Sequence, residues 1–251
     1  MLEPFVTLAQ RPDLADQVRR LSAEVWAEFL QHSAVCNRYW RRLYSTFARF
    51  QVVLCEPVDT VIAAGHTIPL VWDGTNNDLP SGLEAALGRG VEDADHGRAP
   101  TTLAALAAMV TPGRQRRGLS AEVLQAMRSS AAAHGLTALI APVRPTLKHR
   151  YPLTPIERYM CWTQPDGSPF DPWLRVHWRL GAEFLQVAPQ SMVITGTVQE
   201  WEKWTGMCFP ESGRYVVLEA LQPITIDLDA GLWTLRGPER LDAPCHRGMK
   251  C

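Results

Sequence analysis

The chain has 251 residues, 46% of them apolar, and 25 Lys and Arg against 26 Asp and Glu give a formal net charge of −1. Such a length buries an ample core without disulfide or metal staples, and the charge balance excludes a general attraction to nucleic acid or to an anionic membrane. The six cysteines, at 36, 55, 161, 208, 245 and 251, show neither C-x-x-C spacing nor a cluster with histidine, so they are read as reduced and no metal site is expected.

The first residues, MLEPFVTLAQ, lack the basic and then apolar pattern of a secretory leader, and no apolar run reaches the ~18 residues of a membrane span. A cytoplasmic protein without membrane contact is the expectation. Residues 4–9 read as a short first strand. Arg11-Pro12-Asp13 then opens a helix in which Leu14, Val18, Leu21, Val25 and Phe29 form one apolar face.

Over 37–50, Tyr39, Trp40, Tyr44 and Phe47 are interleaved with Arg38, Arg41, Arg42 and Arg49, which predicts a second amphipathic helix. Residues 50–54 and 60–71 flank the turn Glu56-Pro57-Val58-Asp59 and predict a hairpin. Between 73 and 100 the glycines, asparagines and scattered acids predict a mobile connection with a short helix at 81–87.

The stretch 101–133 reads TTLAALAAMV, then TPGRQRRGLS, then AEVLQAMRSSAAA: a strand, a tight basic turn and a helix. The turn opens onto the helix N-terminus, where first-turn N–H groups have no intrahelical partner and the macrodipole adds partial positive charge. With Arg114, Arg116 and Arg117 beside it, such a place suits a pyrophosphate. Neither a Gly-Lys-Ser/Thr loop nor G-x-G-x-x-G occurs.

Residues 136–143 form a second strand, parallel to the first through the intervening helix. The proline- and aromatic-rich segment 144–171 is expected to cover a cleft mouth. Asp171-Pro172-Trp173 has the form of an N-cap with Pro in the first turn, and the helix it opens ends at Gly181. A strand broken near Pro189, a short helix over 199–206 and short strands at 215–218 and 224–228 follow.

Two segments add to this. Val110-Thr-Pro112-Gly-Arg-Gln115-Arg-Arg-Gly118-Leu-Ser120 resembles the V-x-P-x-x-[QR]-x-x-G-x-[GA] segment of GNAT-type acyl-CoA N-acyltransferases, matching at Val110, Pro112, Gln115 and Gly118, with Ser120 at the small last position. Later in the chain, Trp173-Leu-Arg-Val-His177-Trp-Arg-Leu180-Gly181-Ala182 resembles that family's F-Y-x-x-L-G-F segment.

The resemblance implies an α/β (α+β) fold: a mixed, mostly antiparallel central sheet with a splayed parallel pair at the cofactor cleft, flanked by helices. It implies one GNAT-like domain over 1–236, with the cofactor core at about 101–183 and a C-terminal extension over 184–236; residues 237–251 read as an irregular tail. The ligand implied is acetyl-CoA or another acyl-CoA, with its pantetheine arm in the splay. Ala108, Met109 and Val110 would orient the thioester, and Arg114, Gln115, Arg116, Arg117, Gly118, Leu119 and Ser120 would hold the pyrophosphate.

The activity implied is N-acyl transfer, acetyl transfer above all, directly to a primary amine within a ternary complex. A small-molecule acceptor is favoured over a protein, and the chain is expected to be a monomer or homodimer. The family's usual general acid is a Tyr four residues before the Gly of the second segment; here that position is His177, which can carry a proton near neutral pH. Tyr151 and Tyr159 are alternative acids, and Glu183, Glu157, His149 or a water relay are candidate bases. The change at His177 also leaves open a CoA-binding regulatory module without turnover. Cys161 is read as core, and the absence of G-x-S-x-G speaks against serine hydrolysis.

Overall fold

The hairpin expected over 50–71 anchors one side of the sheet. The computed structural model describes residues 5–57, 59–115, 117–228 and, for the backbone alone, 232–244. In chain order the elements are β1 (Val6–Thr7), α1 (Ala15–Val25), α2 (Ala34–Tyr39), β2 (Val52–Glu56), β3 (Thr60–Leu70), α3 (Leu83–Asp95), β4 (Thr102–Val110), α4 (Leu119–Ala133), β5 (Ala138–Val143) and α5 (Ile156–Tyr159). They continue with α6 (Pro172–Arg179), β6 (Ala182–Thr197), α7 (Val198–Thr205), β7 (Gly213–Tyr215), β8 (Ile224–Ile226) and β9 (Leu232–Pro244).

The strands lie in the order β1-β2-β3-β4-β5-β9-β8-β7, with β6 also paired to β9. Among the described residues only β4 and β5 run parallel, joined through α4; the other described pairs are antiparallel. This is the mixed, mostly antiparallel sheet with one parallel pair that the resemblance implied.

Alternation along the strands divides the core between two faces. On one, Leu14, Val18 and Leu21 of α1 pack with Val53, Ala64 and Met109. On the other, α4 presses so closely on β3 that a Cβ at Gly65 would lie 2.4 Å from Met127 and 2.9 Å from Val123. Gly65 is what lets the helix seat there.

Two helical expectations change. Residues 37–50 do not form one helix: α2 ends at Tyr39, and 3-10 turns at Trp40–Tyr44 and Ala48–Phe50 follow. Ser45 and Thr46 sit where the helix would continue, and the amides of Phe47 and Ala48 turn back to the carbonyls of Arg42 and Ser45. The expected short helix at 81–87 extends instead as α3 to Asp95, burying Leu83, Ala86, Leu87, Gly90 and Val91 on one face. Gly90 belongs there for contact, since a Cβ would meet Ile68 at 2.6 Å.

Residues 237–244, expected as irregular tail, belong to β9, because β6 and β5 supply partners on both of its edges; 245–251 lie outside the described residues. The break at Pro189 is a bulge within one continuous strand: Ala188 pairs with Glu239 and Met192 with Gly237. Among the described residues no helix is long and apolar enough to cross a membrane.

Candidate active site

The parallel pair opens almost as soon as it forms. Thr102, Leu103 and Ala104 pair with Ala138, Leu139 and Ile140, and the β4–β5 ladder stops there. The cause lies on the other edge of β4: His66 pairs with Ala107 but Thr67 with Ala105, leaving Leu106 as an extra residue. Such a bulge bends its strand. Ala141–Val143 of β5 pair with β9 on its far edge.

The bulge leaves one edge of β4 without β5. Backbone groups of alternate residues point to opposite strand edges, and the Thr111 N–H donates to Ile62 O on β3 at 2.9 Å. Met109 therefore turns its amide to β3, while the N–H and C=O of Ala108 and Val110 face the opening. The Met109 side chain is also committed, buried in the α1 cluster with its Sδ accepting from Ser22 Oγ at 3.3 Å. Of the three residues expected at the thioester, Ala108 and Val110 turn their backbone groups to the opening, and Met109 turns its own to β3.

At the end of β4 the chain turns through Thr111–Arg114, where the Arg114 N–H donates to Thr111 O at 3.0 Å. Gly118, at φ 82° and ψ −5°, is the N-cap of the 15-residue α4. Glycine takes this left-handed conformation without steric cost. The first amides to bond back are Ala121 and Glu122, both to Gly118 O, so those of Gly118, Leu119 and Ser120 precede the helical ladder. A Cβ built at Gly118 would find no atom within 4 Å, so the space beside its Cα is open.

The basic side chains around the turn are not equivalent. Arg114 donates from Nη2 to Glu56 Oε2 at 2.7 Å, so it ties the turn to β2. Gln115 and Arg117 are exposed, and the Leu119 side chain is core, leaving only its amide to serve. Arg116 lies outside the described residues.

The helix carrying His177 is fixed by Asp171. Its carboxylate, 1% exposed, accepts from the amides of Trp173 and Leu174 as the cap of α6, from Thr146 and Leu147 just after β5, and from Tyr159 Oη at 2.8 Å. This one carboxylate sets the spacing between β5 and α6. His177 is buried, edge-on to Trp173 at 4.6 Å. It lines a cavity of about 40 Å³ with Leu124, Arg128, Leu139, Ala141 and Leu180, about the room of one water.

The alternative acids stand elsewhere. Tyr151 and Tyr159 belong to an aromatic cluster with Trp162 and Phe170. Burial, with the Asp171 charge beside it, pushes the Tyr159 phenol above its ordinary range, so the phenol keeps its proton and donates it in the hydrogen bond to Asp171. Glu157 and Glu183 are exposed, and His149 faces Glu219 at 3.6 Å. Cys161 is exposed, not core, with its thiol on Glu157 O.

The chain matches no model of a known protein family. It is 32% identical over 219 residues, 80% of this chain and 75% of the relative, to the arginine N-acetyltransferase avaD of Aspergillus versicolor. The chain belongs to the GNAT superfamily. Solved GNAT-like structures share its fold: the loading GNATL domain of CurA from Lyngbya majuscula (TM-score 0.59, 16% identity, 92% of each chain covered) and the GphF GNAT-like decarboxylase in complex with isobutyryl-CoA (0.60, 16%, 97% of this chain and 99% of that one).

As a GNAT protein the chain is a CoA-dependent N-acyltransferase that uses an acyl-CoA donor and an amine acceptor. The residues present fit such a donor. The vacated edge of β4 would offer strand-like hydrogen bonds to an amide-containing arm, and the αL Gly118 at the N-terminus of α4 would receive a pyrophosphate.

Proposed function

We propose that this protein transfers an acyl group, acetyl above all, directly from acyl-CoA to a small primary amine within a ternary complex. The single observation that carries the reading is that the β4–β5 pair parts at Ala104–Ile140 on the side of the N-terminus of α4. Acyl-CoA supplies a thioester carbonyl open to attack by an amine. The N–H groups of Ala108 and Val110 orient the bound arm along β4, and the amides of Gly118, Leu119 and Ser120 take the pyrophosphate. Arg117 lies close enough in sequence to add charge there. His177 holds the proton that the departing thiolate needs.

The name of the Aspergillus relative makes arginine the first acceptor to test. The test is calorimetric titration with acetyl-CoA and longer acyl-CoAs, followed by turnover assays with arginine and a panel of small amines. Binding in the micromolar range with turnover supports the reading; no binding of any CoA species overturns it. A second reading, a CoA-binding regulatory module, is favoured by His177 standing where the family has Tyr. It predicts retained CoA affinity with no turnover on any amine.

A further inference from the structure

A polar cluster lies at the centre of the sheet, on the face opposite α4 and apart from the donor cleft. His66 is 0% exposed, with Gln51 at 1% beside it. Gln51 Nε2 donates to the carbonyls of Phe47 and Thr67, both at 2.8 Å. Carbonyls only accept, so the amide orientation is fixed and Oε1 must face the Thr67 N–H, at 3.1 Å, and His66 Nδ1, at 3.0 Å.

An oxygen that only accepts requires the proton on Nδ1. Burial pushes the His66 pKa down to about 3, so the ring is neutral and Nε2 carries a lone pair. That lone pair meets Tyr44 Oη at 3.2 Å; the phenol donates to it. The hydrogen-bond requirements thus fix both the tautomer of His66 and the direction of the Tyr44 hydroxyl.

The place of this pair is as specific as its bonding. His66 stands opposite Ala107, beside the bulge that parts β4 from β5, so the two side chains share a face. Gly65, one residue earlier, faces α4, so His66 faces away from it. Leu103–Leu106 are buried, whereas Ala107 is partly exposed: the sheet is uncovered where its strands have separated. Tyr44 and Ala107 pack together against the α1 cluster.

Trp40 stands edge-on to the imidazole at 5.3 Å and Trp26 beyond it at 5.4 Å. Arg19 lies over the Tyr44 ring at 4.8 Å. An acyl donor on the α4 cradle and a molecule beside Tyr44 would therefore reach β4 from opposite faces.

We propose that the Tyr44 hydroxyl receives an N–H of the attacking amine and orients its lone pair toward the acyl group, with His66 as the positioning residue that aims that hydroxyl. The assignment rests on the acyltransferase reading. No bond to hydrogen breaks at this pair; it aligns the amine, and orientation of this kind accelerates reaction by cutting the entropy of approach.

The test uses Tyr44→Phe, His66→Asn and the double variant in the full chain. The Asn amide occupies the place of Nδ1, so it preserves the bond to Gln51 and removes only the acceptor for Tyr44. With any amine that wild type acylates, Tyr44→Phe should lower kcat/KM for the amine about 100-fold, leaving the Kd for acetyl-CoA within about twofold. His66→Asn should cost about tenfold alone and less than about twofold when added to Tyr44→Phe, because it acts only through the hydroxyl. His66→Gln, whose terminal amide oxygen reaches the Nε2 position, should restore part of the loss. Equal cost of His66→Asn with and without the tyrosine hydroxyl, or wild-type kcat/KM in Tyr44→Phe, overturns the proposal. Wild-type protein that binds no CoA and acylates nothing is a different result and overturns the acyltransferase reading itself.

Discussion

Tyr159 donates its phenolic proton to Asp171 at 2.8 Å, and the same carboxylate caps α6 and holds Thr146 and Leu147. The bond joins the proline-rich segment 144–171 to the helix of His177. Removing the carboxylate orphans several buried donors at once, so Asp171→Ala should cost about 3–5 kcal/mol of stability, more than the ~1 kcal/mol of a lost cap. Tyr159→Phe should cost about 1–2 kcal/mol. Urea denaturation measures both, and equal costs for the two variants would contradict the central place given to Asp171.

Lys148 ties the same segment to the C-terminal part. Its side chain is buried, with Nζ donating to Tyr151 O at 2.9 Å and to Leu221 O. Burial, with Arg144 nearby, lowers its pKa from 10.5 to about 8. Between those values the unfolded chain binds the proton and the folded chain does not, so the contribution of this group to stability rises with pH across that window. Measured against Lys148→Met, the wild type should gain up to about 3 kcal/mol between pH 8 and pH 10.5. A pH-independent difference would show that burial does not penalise the ammonium.

His177 stands on α6 facing α4 and β5. If it supplies the proton for the leaving sulfur, His177→Ala should lower kcat about 100-fold while the Kd for CoA stays within about twofold. Parallel loss of turnover and of CoA affinity would make it a structural residue of the helix.

How far these features were legible in the sequence depended on whether the determinants were local. The turn before α4 was readable because Pro112, Gly113 and Gly118 each have a backbone consequence, and the start of α6 because Asp171-Pro172 is a cap in one dipeptide. The helix over 83–95 was half hidden, since Gly88 and Gly90 look like loop residues until the contact of Gly90 with Ile68 is known. The apparent helix over 37–50 fails for a related reason: its aromatic spacing suits a helix, but the chain turns back at Ser45 and Thr46, and Tyr44 meets His66 of β3.

The site divides the same way. The amides of Gly118–Ser120 follow from sequence order, whereas the engagement of Arg114 with Glu56 and the withdrawal of Met109 to the α1 cluster depend on strand register. His66 left one trace, a lone histidine within the apolar run of β3, and that pattern alone carries no chemistry. The bulge at Leu106, which opens the cleft, has no local signature at all.

The central claim is that acyl-CoA sits in the opening between β4 and β5 with its pyrophosphate at Gly118. Calorimetric titration of acetyl-CoA into wild type and Gly118→Asp tests it most directly, because Asp tolerates the left-handed backbone and its side chain enters open space, placing negative charge where the phosphates would lie. Wild type should bind, and the folded variant should lose at least about 100-fold in affinity. Equal affinity in the two proteins, or no binding to the wild type, would contradict it.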